Sequence, residues 1–243
     1  MPRRRMVGRP RPTRPPILSA DPLAFPRPDT ADASGLVAIG GDLSPERLVA
    51  AYARGIFPWP HEGYPLLWFS PDPRMVLPLE DLHIPRRLAR TMRSGRFEIR
   101  LDTAFDAVIA HCAEISRRPE AGGTWITPEM QAAYGRLHAL GVAHSAEAWR
   151  DGALVGGLYG VSLGAMFCGE SMFALEPDAS KAAFVGLATA LRGWGFHFVD
   201  AQTYSTHMDA FGATMWPRAR YLEALEAALA VPTRPGPWAA GAA

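Results

Sequence analysis

Three groups of residues in this chain could do chemistry. In Phe196-His197-Phe198-Val199-Asp200-Ala201-Gln202-Thr203 the polar residues Asp200 and Gln202 stand two apart. Strand alternation puts both on one face, where they can act on a single substrate group. A carboxylate beside Phe198 must be hydrogen-bonded or paired, because an unpaired buried charge is strongly destabilising; a structural ion pair and a catalytic pair both meet that need. In Met166-Phe167-Cys168-Gly169-Glu170-Ser171-Met172-Phe173 the same alternation gives Glu170 the face of Met166, Cys168 and Met172. A carboxylate there needs a cation, either an internal one such as Lys181 or an arginine, or one brought by a ligand. The third group is Arg86, Arg87, Arg90 and Arg93, whose spacing gathers them on one helical face. No acidic residue lies between Pro85 and Arg96, so this face suits a phosphate backbone as well as plain solvation.

Other chemistries find little support. The seven histidines form no metal-binding pair on one element, and Cys112 and Cys168, the only cysteines, lack zinc-site spacing and are too few for a disulfide framework. Neither a Gly-x-Ser-x-Gly elbow nor a P-loop is present. No apolar run is long enough to span a bilayer, and with only two cysteines a reducing cytosol is the simplest compartment. The net charge of +1 argues against wholesale coating by nucleic acid. It hides an N-terminal arm carrying Arg3, Arg4, Arg5, Arg9, Arg11 and Arg14 among prolines, which reads as a disordered basic tail.

The elements that must position these groups follow from periodicity and turn signals. A short strand and glycine turn over Leu36–Ser44 end in a Ser44 cap with Pro45 at the first helical position, and a helix runs to about Arg54. Ile56 to Arg74 is rich in aromatics and prolines, predicting a packed loop or a pocket wall. Beyond Phe97 the pattern gives a strand at 97–102, helices at 103–118 and from Thr127 to near Gly141, and strands at 144–150, 153–161 and 165–173. Asp151-Gly152 marks a hairpin between the first two of these three strands. A helix at 178–192, a strand at 196–203 and a last helix at 217–230 complete the chain. The predicted fold class is α/β, layered in the α+β manner. Residues 1–34 form the arm and lead-in, 35–96 a small N-terminal domain, and 97–243 the larger domain.

Several of these segments together resemble the leucyl/phenylalanyl-tRNA–protein transferase family. They are Gly40-Gly41-Asp42-Leu43-Ser44, Arg54-Gly55-Ile56-Phe57-Pro58-Trp59, Trp68-Phe69-Ser70-Pro71-Asp72-Pro73-Arg74, Gly123-Thr124-Trp125-Ile126-Thr127, His144-Ser145, Cys168-Gly169-Glu170-Ser171-Met172-Phe173, Ala179-Ser180-Lys181 and Asp200-Ala201-Gln202. The ordered series covers roughly residues 35–228 and is far more specific than any one member. The resemblance implies a C-terminal acyltransferase domain of the GNAT type and a smaller N-terminal domain, acting without metal or organic cofactor. It also implies a cytoplasmic monomer that takes Leu, Phe or Met from aminoacyl-tRNA and gives it to proteins beginning with Arg or Lys, marking them for N-end-rule degradation.

By the same resemblance, Asp200 and Gln202 serve the reacting amine, and Glu170 receives the basic side chain of the acceptor. Trp59 and Trp125 meet the aminoacyl end of the tRNA, and Arg86, Arg87, Arg90 and Arg93 meet its backbone. Leu158, Phe167, Met172 and Phe184 form the amino-acid pocket, although alternation puts Phe167 opposite Glu170 and Met172. Two departures from the family pattern stand out: Ala201 where Cys is common and Ser205 where Asn is common. The chemistry implied is aminolysis of an activated ester, with Asp200 either a general base or an orienting group for Gln202. An acetyltransferase of the same fold is disfavoured because Glu176-Pro177-Asp178-Ala179-Ser180-Lys181 has no glycine and two carboxylates where a diphosphate would bind. A non-catalytic RNA-binding adaptor would leave Asp200, Gln202 and Glu170 without a purpose.

Overall fold

The computed structural model describes residues 15–61, 63–116 and 124–239. All six arm arginines, Gly123 of one family segment and the expected helix end at 117–118 lie outside the described residues. The elements run in the order β1 (Leu36–Ile39), α1 (Pro45–Tyr52), β2 (Phe57–Pro58), β3 (Leu67–Phe69), β4 (Arg74–Pro78), α2 (Arg86–Arg93), β5 (Glu98–Leu101), α3 (Phe105–Ser116), α4 (Pro128–Ala139), β6 (Ala143–Arg150), β7 (Ala153–Leu163), β8 (Met166–Ala174), α5 (Ala179–Gly193), β9 (Phe198–Gln202), α6 (Thr206–Asp209), β10 (Thr214–Trp216) and α7 (Arg218–Leu229). Helix starts fall where expected, although Ser44, at the N-cap of α1, makes no side-chain cap hydrogen bond. Pro45 and Pro128 open α1 and α4, and the Thr127 hydroxyl accepts from the Met130 N–H. Asp151 and Gly152 both adopt positive φ, as a tight two-residue hairpin between β6 and β7 requires.

A small sheet in the order β1-β3-β2 sits beside a seven-stranded sheet in the order β10-β4-β9-β8-β7-β6-β5. The stretch from Arg74 to Pro78, flanked by Pro71 and Pro73 and ending in Pro78, is not predicted as a strand, yet β4 pairs antiparallel with both β9 and β10. The larger sheet therefore takes a strand from before residue 97. Every pairing in it is antiparallel except β8 with β9. Because α5 joins these two strands as a crossover, they run in the same direction.

Helices cover both sheet faces, giving three layers. On one face α1, α3, α4 and α7 bury Leu48, Val108, Tyr134 and Tyr221 against Val76, Tyr159, Cys168 and Phe198. On the other face α2, α5 and α6 bury Leu88, Phe184, Leu187 and Met208 against Leu77, Leu158, Phe167 and Val199. No helix among the described residues is long and apolar enough to cross a membrane.

Candidate active site at the parting of two parallel strands

The β8–β9 pairing lasts only from Met166↔Phe198 to Cys168↔Asp200. Beyond that pair the strands diverge, and a cavity of about 260 Å³ opens between them. Its lining includes the aromatics Phe57, Trp59 and Trp125, the apolar residues Leu158, Phe167, Met172 and Phe184, and the polar residues Glu170, Gln202 and Ser205. Eight residues expected at the site thus share one cavity: Trp59, Trp125, Leu158, Phe167, Met172, Phe184, Glu170 and Gln202.

A β-bulge makes this possible. Tyr159 pairs with Ser171 and Gly160 with Gly169, leaving Glu170 as the extra residue on β8. Simple alternation fails across it. Met166 and Cys168 face the α3/α4 layer as expected, whereas Met172 packs with Phe167 in the α5 layer. The expectation that Glu170 shares a face with Met172, opposite Phe167, is thereby corrected. The inserted residue shifts the strand by one, and Phe167 and Met172 come to line the same wall.

Glu170 is half-buried and has no cation. Its Oε1 accepts from the Tyr52 hydroxyl at 2.7 Å and from Gln202 Nε2 at 2.9 Å, while Oε2 accepts from the Tyr134 hydroxyl at 3.2 Å. The two tyrosine hydroxyls also hydrogen-bond to each other. Among the described residues no Lys, Arg or His nitrogen pairs with Glu170, so neither Lys181 nor an arginine is the internal partner. Burial pushes its pKa up to about 7, and the nearby Asp200 charge adds to this against the lowering effect of the tyrosine hydrogen bonds. Glu170 is a carboxylate on the cavity wall that is short of positive charge.

Asp200 has the opposite character. It is fully buried and absent from the cavity wall. Arg74, itself 1% exposed, grips it in a bidentate pair, Nε to Oδ1 at 2.8 Å and Nη2 to Oδ2 at 2.6 Å. The Tyr221 hydroxyl donates to Oδ2 at 2.8 Å and the Gln202 backbone N–H to Oδ1 at 2.9 Å. The Arg74 guanidinium lies 4.8 Å from the Phe57 ring centre and 4.7 Å from that of Tyr221. Burial opposes the charge on Arg74, but Asp200, Tyr221 and Cys168 together outweigh it and raise the arginine's pKa. These donors engage both carboxylate oxygens of Asp200. The same-face expectation for Asp200 and Gln202 is met, since Cys168 Sγ lies 3.5 Å from both Asp200 Oδ2 and Gln202 Nε2. Gln202 reaches the cavity through a φ of 62°, a strained choice for a non-glycine residue that the hydrogen bond from its own N–H to Asp200 supports.

Arg86, Arg87, Arg90 and Arg93 are all exposed on α2, while Leu88 anchors that helix against the α5 layer. Sequence reasoning misses Tyr52, Tyr134 and Tyr221, which look like ordinary core aromatics on their helices. Arg74 figures there only as the end of a motif. Nothing local marks it as the partner of a residue 126 positions away. Among the described residues no group of three or more His, Cys, Asp or Glu side chains is placed to hold a metal ion.

Comparison with known proteins bears on the whole chain. A family profile described as leucyl/phenylalanyl-tRNA protein transferase matches residues 76–226, and one for the N-terminal domain of the same proteins matches residues 41–72. A leucyl/phenylalanyl-tRNA–protein transferase of Myxococcus xanthus is 59% identical over 222 residues, covering 91% of this chain and 94% of the relative. One from Nitratidesulfovibrio vulgaris is 58% identical over the same coverage of both chains. Another, from Anaeromyxobacter, is 56% identical over 90% of this chain and 94% of its own. The chain belongs to the leucyl/phenylalanyl-tRNA–protein transferase family.

Proposed function

We propose that this chain moves a leucyl or phenylalanyl group, with methionyl as a third donor, from its tRNA to the α-amine of proteins that begin with Arg or Lys. The product would be marked for N-end-rule degradation, and the enzyme would work as a cytoplasmic monomer on a GNAT-type domain. The observation that carries the reading is the single cavity that joins an apolar wall to an unpaired carboxylate and a fixed amide. Its volume of about 260 Å³ is below the roughly 300–1,000 Å³ of sites for drug-sized ligands.

Leu158, Phe167, Met172 and Phe184 would enclose the donor side chain, with Trp59 and Trp125 against the terminal nucleoside. The acceptor's cationic side chain would pair with Glu170. Because Gln202 Nε2 is spent on Glu170, its carbonyl oxygen is the atom free to accept a hydrogen bond from the attacking amine. The amine nitrogen bonds to the ester carbonyl carbon, the bond from that carbon to the ribose oxygen breaks, and the ribose oxygen departs with the proton the amine gives up. No enzyme nucleophile takes part. Alignment of two bound reactants can lower such a barrier by up to about 7–11 kcal/mol. In this scheme Asp200, which does not line the cavity, orients Gln202 and does not itself touch the amine. Arg86, Arg87, Arg90 and Arg93 would hold the tRNA backbone.

The donor half is tested by single-turnover transfer from Leu-, Phe- and Ile-tRNA to one peptide beginning with Arg. An apolar pocket discriminates by about 1–3 kcal/mol per methylene-sized misfit, so Leu and Phe should be transferred well and Ile poorly. Equal rates from Leu- and Ile-tRNA would sink the pocket assignment.

A further inference from the structure

The chain after α7 returns to the sheet and buries one large side chain, Trp238, which is 4% exposed. The segment lies beyond the residues matched by the family profile. It is pinned along its length: the Gly164 N–H donates to the Thr233 hydroxyl at 2.9 Å, and the Gly236 N–H donates to the Gly141 carbonyl at 3.1 Å. The Trp238 indole N–H donates to the Arg234 carbonyl at 3.2 Å. At its end the Trp238 backbone N–H donates to Asp102 Oδ2 at 2.7 Å, and that oxygen lies 2.8 Å from Nδ1 of the buried His144. Oδ1 of Asp102 accepts from the Ser145 N–H at 2.9 Å. The indole stacks on the imidazole of His144, centres 3.5 Å apart and planes within 4°.

This wedge is next to the cavity without forming its wall. His144 pairs across strands with Gly160. The Phe167 ring lies over Gly160 so closely that a Cβ there would come within 2.6 Å of its Cζ. Phe167 therefore cannot move toward the sheet. Trp238 stands 6.2 Å from it, centre to centre, within the same buried cluster, and Phe196 and Trp194 hold the indole from further sides at 5.9 and 5.2 Å. The ring that lines the cavity is thus held between Gly160 and Trp238. A well-packed core gives way only where a neighbour is removed.

We propose that Trp238 is a positioning residue for donor selection: locked by Asp102 and His144, it backs Phe167 and so fixes the depth of the amino-acid cavity. The proposal rests on the reading that this cavity holds the donor side chain. Removing volume at Trp238 leaves space behind Phe167, lets its ring retreat, and deepens the cavity in favour of the larger donor.

The test is a graded series in the full chain, Trp238→Phe, Trp238→Leu and Trp238→Ala, with Met172→Ala as a control on the cavity wall. For each variant kcat/KM is measured with Phe-tRNA and Leu-tRNA, alongside acceptor-peptide KM and Tm. The expected result is a Phe/Leu ratio that climbs with the volume removed, reaching about tenfold for Ala, the lower end of what a methylene-sized change in an apolar pocket produces. Acceptor KM should stay unchanged. The mild Phe substitution keeps a ring in the slot and gives a folded member even if the Ala variant does not fold. A constant ratio in every folded member, with only Tm falling, overturns the proposal while a response of Met172→Ala leaves the cavity reading standing. If Met172→Ala also leaves both donors unaffected, the cavity reading falls and the proposal falls with it.

Discussion

Replacing Asp200 with Asn tests whether this carboxylate positions its neighbours or acts as a base. The substitution keeps shape and one oxygen but removes the charge that compensates Arg74, and both groups are buried to 1% exposure or less. Breaking a buried ion pair from one side costs about 3–5 kcal/mol. At about 2–4 °C per kcal/mol for a chain of this size, Tm should drop by about 6–20 °C. Activity should fall too, through Gln202: the hydrogen bond from its backbone N–H to Asp200 helps hold the residue at a φ of 62°, and that support weakens. Thermal denaturation and a pH profile of single-turnover transfer, run on the same preparation, separate the roles. A positioning Asp200 predicts a large Tm loss, reduced kcat and an unchanged profile shape. A Tm within about 2 °C of the parent's, well short of the drop expected for a broken buried pair, together with loss of the acidic limb of the profile would refute the positioning role, because an unloaded base would be the only remaining description.

Two further perturbations probe the rest of the site. Glu170, raised to about 7 by burial, keeps its proton in the folded state between pH 4.5 and 7, where the unfolded chain has lost it. The folded state then binds more protons, so stability contributed here declines as pH rises through that window, by about 3 kcal/mol in all. Glu170→Gln should remove this decline and melt higher than the parent once the pH is above the raised value of about 7. The preference for Arg over Ala acceptors should weaken below about pH 7 in the parent and be lost at every pH in the variant; a retained preference would remove Glu170 from acceptor binding. Neutralising Arg86, Arg87 and Arg90 should flatten the salt dependence of aminoacyl-tRNA binding by about 0.7–0.9 in log–log slope for each phosphate no longer neutralised, and an unchanged slope would place the tRNA elsewhere.

Much of the frame is legible in local sequence. Asp151-Gly152 names its hairpin, Pro128 after Thr127 names its helix, and Glu170, Asp200 and Gln202 announce themselves as polar residues on largely apolar strands. What stays hidden depends on distant or irregular partners. The bulge at Glu170 adds one residue that alternation cannot register, and every face assignment past it inverts. β4 is masked by the prolines around it at 71, 73 and 78, although it pairs on both sides, with β9 and with β10. Arg74 reads as a loop arginine until the fold sets it on Asp200. Tyr52 and Tyr134 become carboxylate ligands only because α1 and α4 bring their hydroxyls to one point.

The most direct measurement is transfer of labelled Phe from Phe-tRNA to three matched peptides beginning with Arg, Lys or Ala, with the modified atom located by mass spectrometry. Label is expected on the α-amine of the Arg and Lys peptides, with little on the Ala peptide. Equal labelling of all three, or label on a side-chain amine, would contradict the proposed function.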